Sequence, residues 1–226
     1  MSLMDALLWL SDPARWWGAS GILARTLEHL GVTLLALVVA GVIALPAGVL
    51  IGHTRRGSTA IGAFTGAFRA LPTLGLLTLF GLLLGIGITA PLLALIILGI
   101  PSLLAGAYSG IQSIDPTIPG AARAIGMSEA QVIRRVELPL AMPVIVGGVR
   151  AATLQIVATA TLAAYTADVG LGRYLFAGMK SRDYPQMIAG ALLVTVLAIL
   201  LELILAAVQR TVSTRLADPS KRESHA

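Results

Sequence analysis

Three charged side chains stand inside stretches that are otherwise free of charge: Arg69, Arg150 and Glu202. An ionised group in hydrocarbon costs several kcal/mol, so opposite charges at that depth are expected to meet. Arg150 and Glu202 are therefore expected to pair between two membrane helices, as a structural tie more than a substrate site. Arg69, just before Pro72, either lies at depth in a helix that begins near Thr59 or snorkels from one that begins at Ala70. Thr159, Thr161 and Tyr165, with Asp168 just beyond them, are candidates for a polar translocation path, against the alternative that such threonines bond to their own helix backbone. Bond-making chemistry has no visible apparatus. No nucleophile stands beside a base, and no Gly-x-x-x-x-Gly-Lys-Ser/Thr phosphate loop occurs. Lysines are confined to Lys180 and Lys221, cysteine is absent, and the three histidines lack metal-ligand spacing. The residues offer no catalytic site, no metal site and no ATP hydrolysis by the chain alone.

The elements that hold these residues must be membrane spans. Of 226 residues, 57% are hydrophobic and 12% charged, with a mean hydropathy of +0.88. A soluble domain of this size could not hide so much apolar surface, so an all-α integral membrane protein is expected. Residues 1–29 carry Trp9, Trp16, Trp17, Arg15 and Arg25 in an interrupted apolar rhythm, which predicts an interfacial helix anchored by tryptophan. Asp5 and Asp12 stand where a signal peptide would be basic, so no cleavage is expected.

Leu30 to Gly52 holds 23 uncharged residues, enough for one span, with a kink expected at Pro46 and a basic turn over His53, Arg55 and Arg56. Ala70 to Ile114 holds 45 uncharged residues, enough for two spans, broken near Gly85, Gly87, Thr89 and Pro91. A fourth span is predicted from Leu138 to about Tyr165 and a fifth from about Gln186 to Gln209. Residues 166–185 are read as a loop or short helix outside the membrane. The transmembrane body is thus 30–209, with a polar loop at 115–138 and a tail at 210–226.

Five spans put the termini on opposite sides. With the 115–138 loop inside, nine basic residues (Arg55, Arg56, Arg123, Arg134, Arg135, Arg210, Arg215, Lys221, Arg222) face the cytoplasm and five (Arg15, Arg25, Arg173, Lys180, Arg182) face out. That excess predicts the amino terminus outside and the carboxyl terminus in the cytoplasm, and it explains the net charge of +5 without nucleic acid.

The soluble-looking loop has an internal pattern: Gly120-Ala121-Ala122-Arg123, then Gly126, then nine residues, then Val136-Glu137-Leu138-Pro139. Small residues and a glycine predict two short helices meeting at a bend, the first capped by Asp115 or Thr117, with Leu138-Pro139 opening the next span. This pattern resembles the cytoplasmic coupling loop, or EAA loop, of permease subunits from binding-protein-dependent ABC importers. Gly120 stands where that loop has glutamate and Val136 where it has isoleucine. Residues from about Phe68 to Gln209 look like the transmembrane domain of methionine-type and osmoprotectant-type permeases.

Gly126-Met127-Ser128, the run Val136 to Ile145, Gly148-Val149-Arg150, Thr159 to Ala164 and Gly170-Leu171-Gly172 look most like short permeases for glycine betaine, choline or carnitine. The resemblance implies a MetI-like fold of about five core helices in a bacterial inner membrane. It implies a cytoplasmic ABC ATPase dimer that binds ATP, an extracytoplasmic substrate-binding protein and a second permease subunit, identical or related. No cofactor is implied for this chain. Asp168-Val169 replaces a glycine-rich lead into Gly170, placing a carboxylate near the outer mouth or in a solvated loop. Permeation of methionine or another small nutrient, or a stand-alone ion-coupled carrier using Arg69, Arg150 and Glu202, are the alternatives.

Overall fold

The computed structural model describes residues 3–217, without the side chains of Ser58, Ala60, Arg69 and residues 215–217. The question raised by the Arg69 side chain, and the tail beyond Ala217 with Lys221 and Arg222, therefore lie outside the described residues. Helices α1 (Leu3–Ser11), α2 (Ile22–Thr54), α3 (Ser58–Arg69), α4 (Thr73–Leu84) and α5 (Thr89–Gln112) come first. After them follow α6 (Thr117–Ala124), α7 (Glu129–Val132), α8 (Leu138–Thr159), α9 (Ala163–Thr166), α10 (Gly172–Ser181) and α11 (Tyr184–Ala217). Four helical stretches are long and apolar enough to cross a membrane, and α3 with α4 makes a further candidate, bent by 77°. This is the helical membrane architecture the composition requires.

Several boundaries differ from the sequence reading, each for a physical reason. The first long helix begins at Ile22, eight residues before the charge-free run. Arg25, Glu28 and His29 enter it because each finds a polar partner, described below. Pro46 lies within that helix without interrupting it. The second span is not one rod: α3 and α4 part around Pro72, which stands as the cap of α4 and cannot extend a helix inward from its own nitrogen. The next break falls as expected, with α4 ending at Gly85 at φ 84° and α5 starting at Thr89.

The chain folds as two compact units. One comprises Met1–Val39, Ala70–Gly99 and Thr153–Leu201; the other comprises Ala40–Arg69, Ile100–Ala152 and the residues from Glu202 on. In the first, Ala6 and Trp9 of α1 pack with Ile22 and Ala189, while Leu3, Met4, Leu7 and Leu8 stay exposed. That outward apolar face suits the headgroup boundary. In the second, Val49, Ala107, Ile111, Ala141 and Ile145 form the core of α2, α5 and α8. Lipid tails are as apolar as leucine, so close packing must hold helices together there. It does so at Gly106 and Gly148, where a β-carbon on either would lie within 2.7 Å of the other's Cα. Exposed Val42, Leu203 and Ile204 on the long helices are what a bilayer solvent favours.

Candidate functional site

The polar segment 115–139 belongs to the second unit. Its first helix, α6, is entered through Asp115, whose Oδ1 accepts from the Thr117 backbone N–H at 2.9 Å and from the Thr117 hydroxyl at 2.8 Å. Those two bonds, backbone first, hold the Asp115 carboxyl below its ordinary range. Pro119 and Ala122 face inward, while Gly120, Ala121 and Arg123 face out. Ile118 is 44% exposed and Ile125 81%, so the tip of the elbow presents unshielded apolar surface outside the spans.

The bend is built at Gly126, φ +90°. The Gly126 N–H donates to the Arg123 carbonyl at 2.9 Å and the Met127 N–H to the Ala122 carbonyl at 3.1 Å. This pair of bonds is the left-handed helix stop that glycine adopts without strain. The chain then re-enters helix at Ser128, whose N–H donates to the Gln131 side chain at 2.9 Å.

Polar side chains lock the two halves of the elbow together. Arg123 Nε and Nη2 donate to the two oxygens of Glu129 at 2.8 and 2.9 Å, a forked geometry that holds the Arg123 pKa above its usual value. His53, at the end of α2, reaches two points of the second limb: its Nε2 lies 3.1 Å from Glu129 Oε2 and its Nδ1 2.7 Å from Glu137 Oε2. Both contacts are hydrogen bonds only when both ring nitrogens carry protons. Glu137 is 3% exposed and the His53 side chain 12%, so the second contact is sheltered. Nearby, the Arg55 guanidinium donates to the Ile114 carbonyl at 2.8 Å and the Gln112 amide to the Gly52 carbonyl at 3.1 Å. The sequence reading noted Glu137 and His53 separately; with 84 positions between them, nothing cued that they and Glu129 form one cluster.

Leu138 starts α8, as expected, but helical turns precede it. Helix runs from Glu129 through a wider π-turn over Ile133–Glu137 into α8. In that turn the Leu138 N–H reaches back to the Ile133 carbonyl. Pro139 has no N–H to continue the regular ladder, and a π-turn just before it accommodates that loss. Val136 and Pro139 are half-buried, and Leu138 packs on the Val49–Ala107–Ile145 core. The elbow is thus continuous with the membrane rod and not a loop hung beneath it.

The second unit also joins the two intramembrane charges. Arg150 Nε donates to Glu202 Oε2 at 2.8 Å and Nη2 to Glu202 Oε1, while Nη1 donates to Gln209 Oε1 at 3.0 Å. Gln209 in turn donates to the Pro143 carbonyl at 3.2 Å. A forked ion pair with a bonded amide neutralises the charges against lipid.

The other candidates lie in the first unit. Thr161 Oγ1 donates to the Ala158 carbonyl at 2.8 Å, bonding its own helix, and Thr159 is half-buried. Tyr165 is 60% exposed, its ring 5.7 Å from that of Phe176. Asp168 is an exposed loop residue, its side chain 60% accessible, that also carries ion pairs. Its Oδ1 accepts from Arg25 Nη2 at 3.2 Å and from Arg173 Nε at 2.9 Å, and its carbonyl accepts from Arg25 Nη1. Glu28 accepts from Arg25 at 2.9 Å and from the Gly170 N–H at 2.9 Å, and His29 Nε2 lies 2.9 Å from the Val157 carbonyl. This network explains how α2 begins at Ile22 despite its charges.

Against models of known families, residues 44–218 match the binding-protein-dependent transport system inner membrane component. The chain belongs to this family. Among curated members, the glycine betaine/carnitine/choline transport system permease protein OpuCB of Bacillus subtilis is 34% identical, over 86% of this chain and 89% of its own. The osmoprotectant import permease protein OsmW of Salmonella typhimurium is 33% identical, over 89% and 94%. Among solved structures of the same architecture, a chain of the inward-facing MetNI methionine ABC transporter superposes with a TM-score of 0.74 at 25% identity, over 89% of this chain and 99% of that one. A second crystal form gives 0.72 at 22% identity. The protein is therefore a multi-pass membrane transport component with a MetI-like helical fold.

Proposed function

We propose that this chain is the permease subunit of an ATP-driven importer for small osmoprotectants such as glycine betaine, choline or carnitine. The observation that carries the reading is the elbow. Its exposed small residues and Ile118 and Ile125 offer a docking face, and its second limb is one continuous helix with the span behind it. Small side chains let a partner's backbone approach closely, and the apolar tip gives that partner something to bury. The partner is a cytoplasmic ABC ATPase dimer, since this sequence contains no phosphate loop. Closure of that dimer on ATP displaces the elbow, and the rigid limb carries the displacement into the membrane. An extracytoplasmic binding protein delivers the solute, and a second permease subunit completes the path. The amino terminus lies outside and the carboxyl terminus in the cytoplasm, in line with the nine-to-five distribution of basic residues. The names of the curated relatives support the osmoprotectant class.

The test is replacement of Gly126 by valine. A β-branched residue at φ +90° is strained by at least about 1 kcal/mol, so the bend opens while the spans still insert. Uptake and permease-stimulated ATPase activity are expected to be lost in reconstituted vesicles. Unchanged transport would refute the coupling role. Equilibrium dialysis of the partner binding protein with radiolabelled glycine betaine, choline, carnitine and methionine tests the solute; retention of methionine alone would refute the osmoprotectant assignment.

A further inference from the structure

In the second unit, α2, α3, α5 and the turn between α2 and α3 line an open groove of about 520 Å³. Its walls are apolar, with Ala47, Ile51, Phe64 and Leu104 among them, and Arg56 is the single charged residue among the described lining. That arginine is presented by an unusual turn. Arg55 before it has φ 53° and Gly57 after it φ 87°, two left-handed residues in three, and the Arg55 guanidinium is spent on the Ile114 carbonyl. Arg56 is exposed and has no hydrogen bond or ion pair among the described residues. No acidic residue occurs anywhere between Glu28 and Asp115, so the segments that build the groove contain no counter-charge for it.

We propose that an anionic phospholipid occupies this groove, with an acyl chain against Ala47, Ile51 and Phe64 and its phosphate on Arg56. A guanidinium suits a phosphate because its donors are forked and always charged, and basic residues between membrane helices are recurrent headgroup sites. A second copy of the chain could cover the apolar wall, but the stretch around Arg56 would bring a like arginine and no carboxylate to it.

Photolabelling of the full-length protein in phosphatidylcholine nanodiscs tests this, with a phosphatidylglycerol or a phosphatidylcholine probe carrying a diazirine on the same acyl chain. Adducts are expected on peptides covering residues 43–64 and 100–104, about fivefold more with phosphatidylglycerol, the factor that one arginine near an anionic headgroup contributes. Arg56→Gln should bring the two probes to equality. Ala47→Phe should remove these adducts while leaving those on the lipid-facing side of α11, which also reports that the protein is folded; if that variant fails to fold, Arg56→Gln decides alone. Equal labelling by both probes in the wild type, or a preference that survives Arg56→Gln, would overturn the proposal. Spontaneous disulfide dimers of Phe64→Cys in phosphatidylglycerol nanodiscs would overturn it in favour of a second copy.

Discussion

Removing the His53 imidazole isolates the contribution of the elbow's attachment to α2. In His53→Ala, the Glu137 carboxylate, 3% exposed and 2.7 Å from Nδ1 in the native protein, is left buried without that partner. Truncating one member of a buried hydrogen-bonded pair typically costs about 3–5 kcal/mol, most of it the stranded charge. The contact with Glu129, whose side chain is 59% exposed, adds at most about 1 kcal/mol. The lower end of that range, about 3 kcal/mol, is expected. Glu137→Leu removes the carboxylate, leaving only a partly exposed imidazole, and should cost about 1–2 kcal/mol. The double variant His53→Ala/Glu137→Leu strands nothing and should be more stable than His53→Ala, giving a coupling energy of about 2 kcal/mol. Reversible unfolding of the purified protein in mixed micelles of rising denaturing detergent, followed by circular dichroism, measures all four corners of the cycle. Additivity within about 0.5 kcal/mol would show that the two groups do not interact energetically, and the latch would have to be abandoned.

Gly120 is a second point of leverage. A β-carbon there meets nothing within 4 Å, so Gly120→Glu, which installs the residue expected from the coupling-loop pattern, should leave the fold intact and stabilise α6 by up to about 1 kcal/mol; a loss of stability in the same detergent assay would contradict the open site. Gly148→Leu should instead prevent normal assembly, since its first added carbon lands 2.7 Å from the Gly106 Cα and overpacking of a fixed backbone contact costs about 1–3 kcal/mol or more; wild-type yield and stability would refute the close approach. For Arg150 and Glu202, Glu202→Leu alone should destabilise more than the double change Arg150→Met/Glu202→Leu, a ranking that thermal unfolding in micelles would check. The lowered pKa of Asp115 fixes a pH sign: its stabilising contribution is present above the ordinary carboxylate pKa and is lost as pH falls through the lower folded value. Asp115→Asn should therefore flatten the acid limb of a stability profile below about pH 4, and an unchanged limb would count against the cap.

What could be read from sequence was whatever depended on local backbone chemistry or on the bilayer as solvent. Gly126 declared a left-handed bend because few other residues adopt that dihedral, and the cluster at Gly85, Gly87 and Pro91 declared a break. The pairing of Arg150 with Glu202 was legible because lipid leaves opposite charges few other partners. What escaped depended on distant partners. The start of α2 was placed late because Arg25 and Glu28 look costly in a span until Asp168 and Gly170 arrive from more than 140 positions away. Leu138 was legible as the start of α8, but nothing in the spacing revealed that a π-turn over Ile133–Glu137 would join it to the elbow helix.

That π-turn has a mechanical consequence. A regular helix turns about 100° and rises about 1.5 Å per residue, so the rod from Glu129 onward transmits a push with little slack, except where one surplus residue has been wound into it. Converting the π-turn to ordinary helix, by moving the surplus residue toward Ser128, would swivel the elbow about its own axis by roughly one residue's rotation without bending the span. The joint is thus a torsional one: it sets which way the exposed face of the elbow is turned, and a single-residue deletion within Ile133–Glu137 would rotate that face while leaving the contacts of α8 in register.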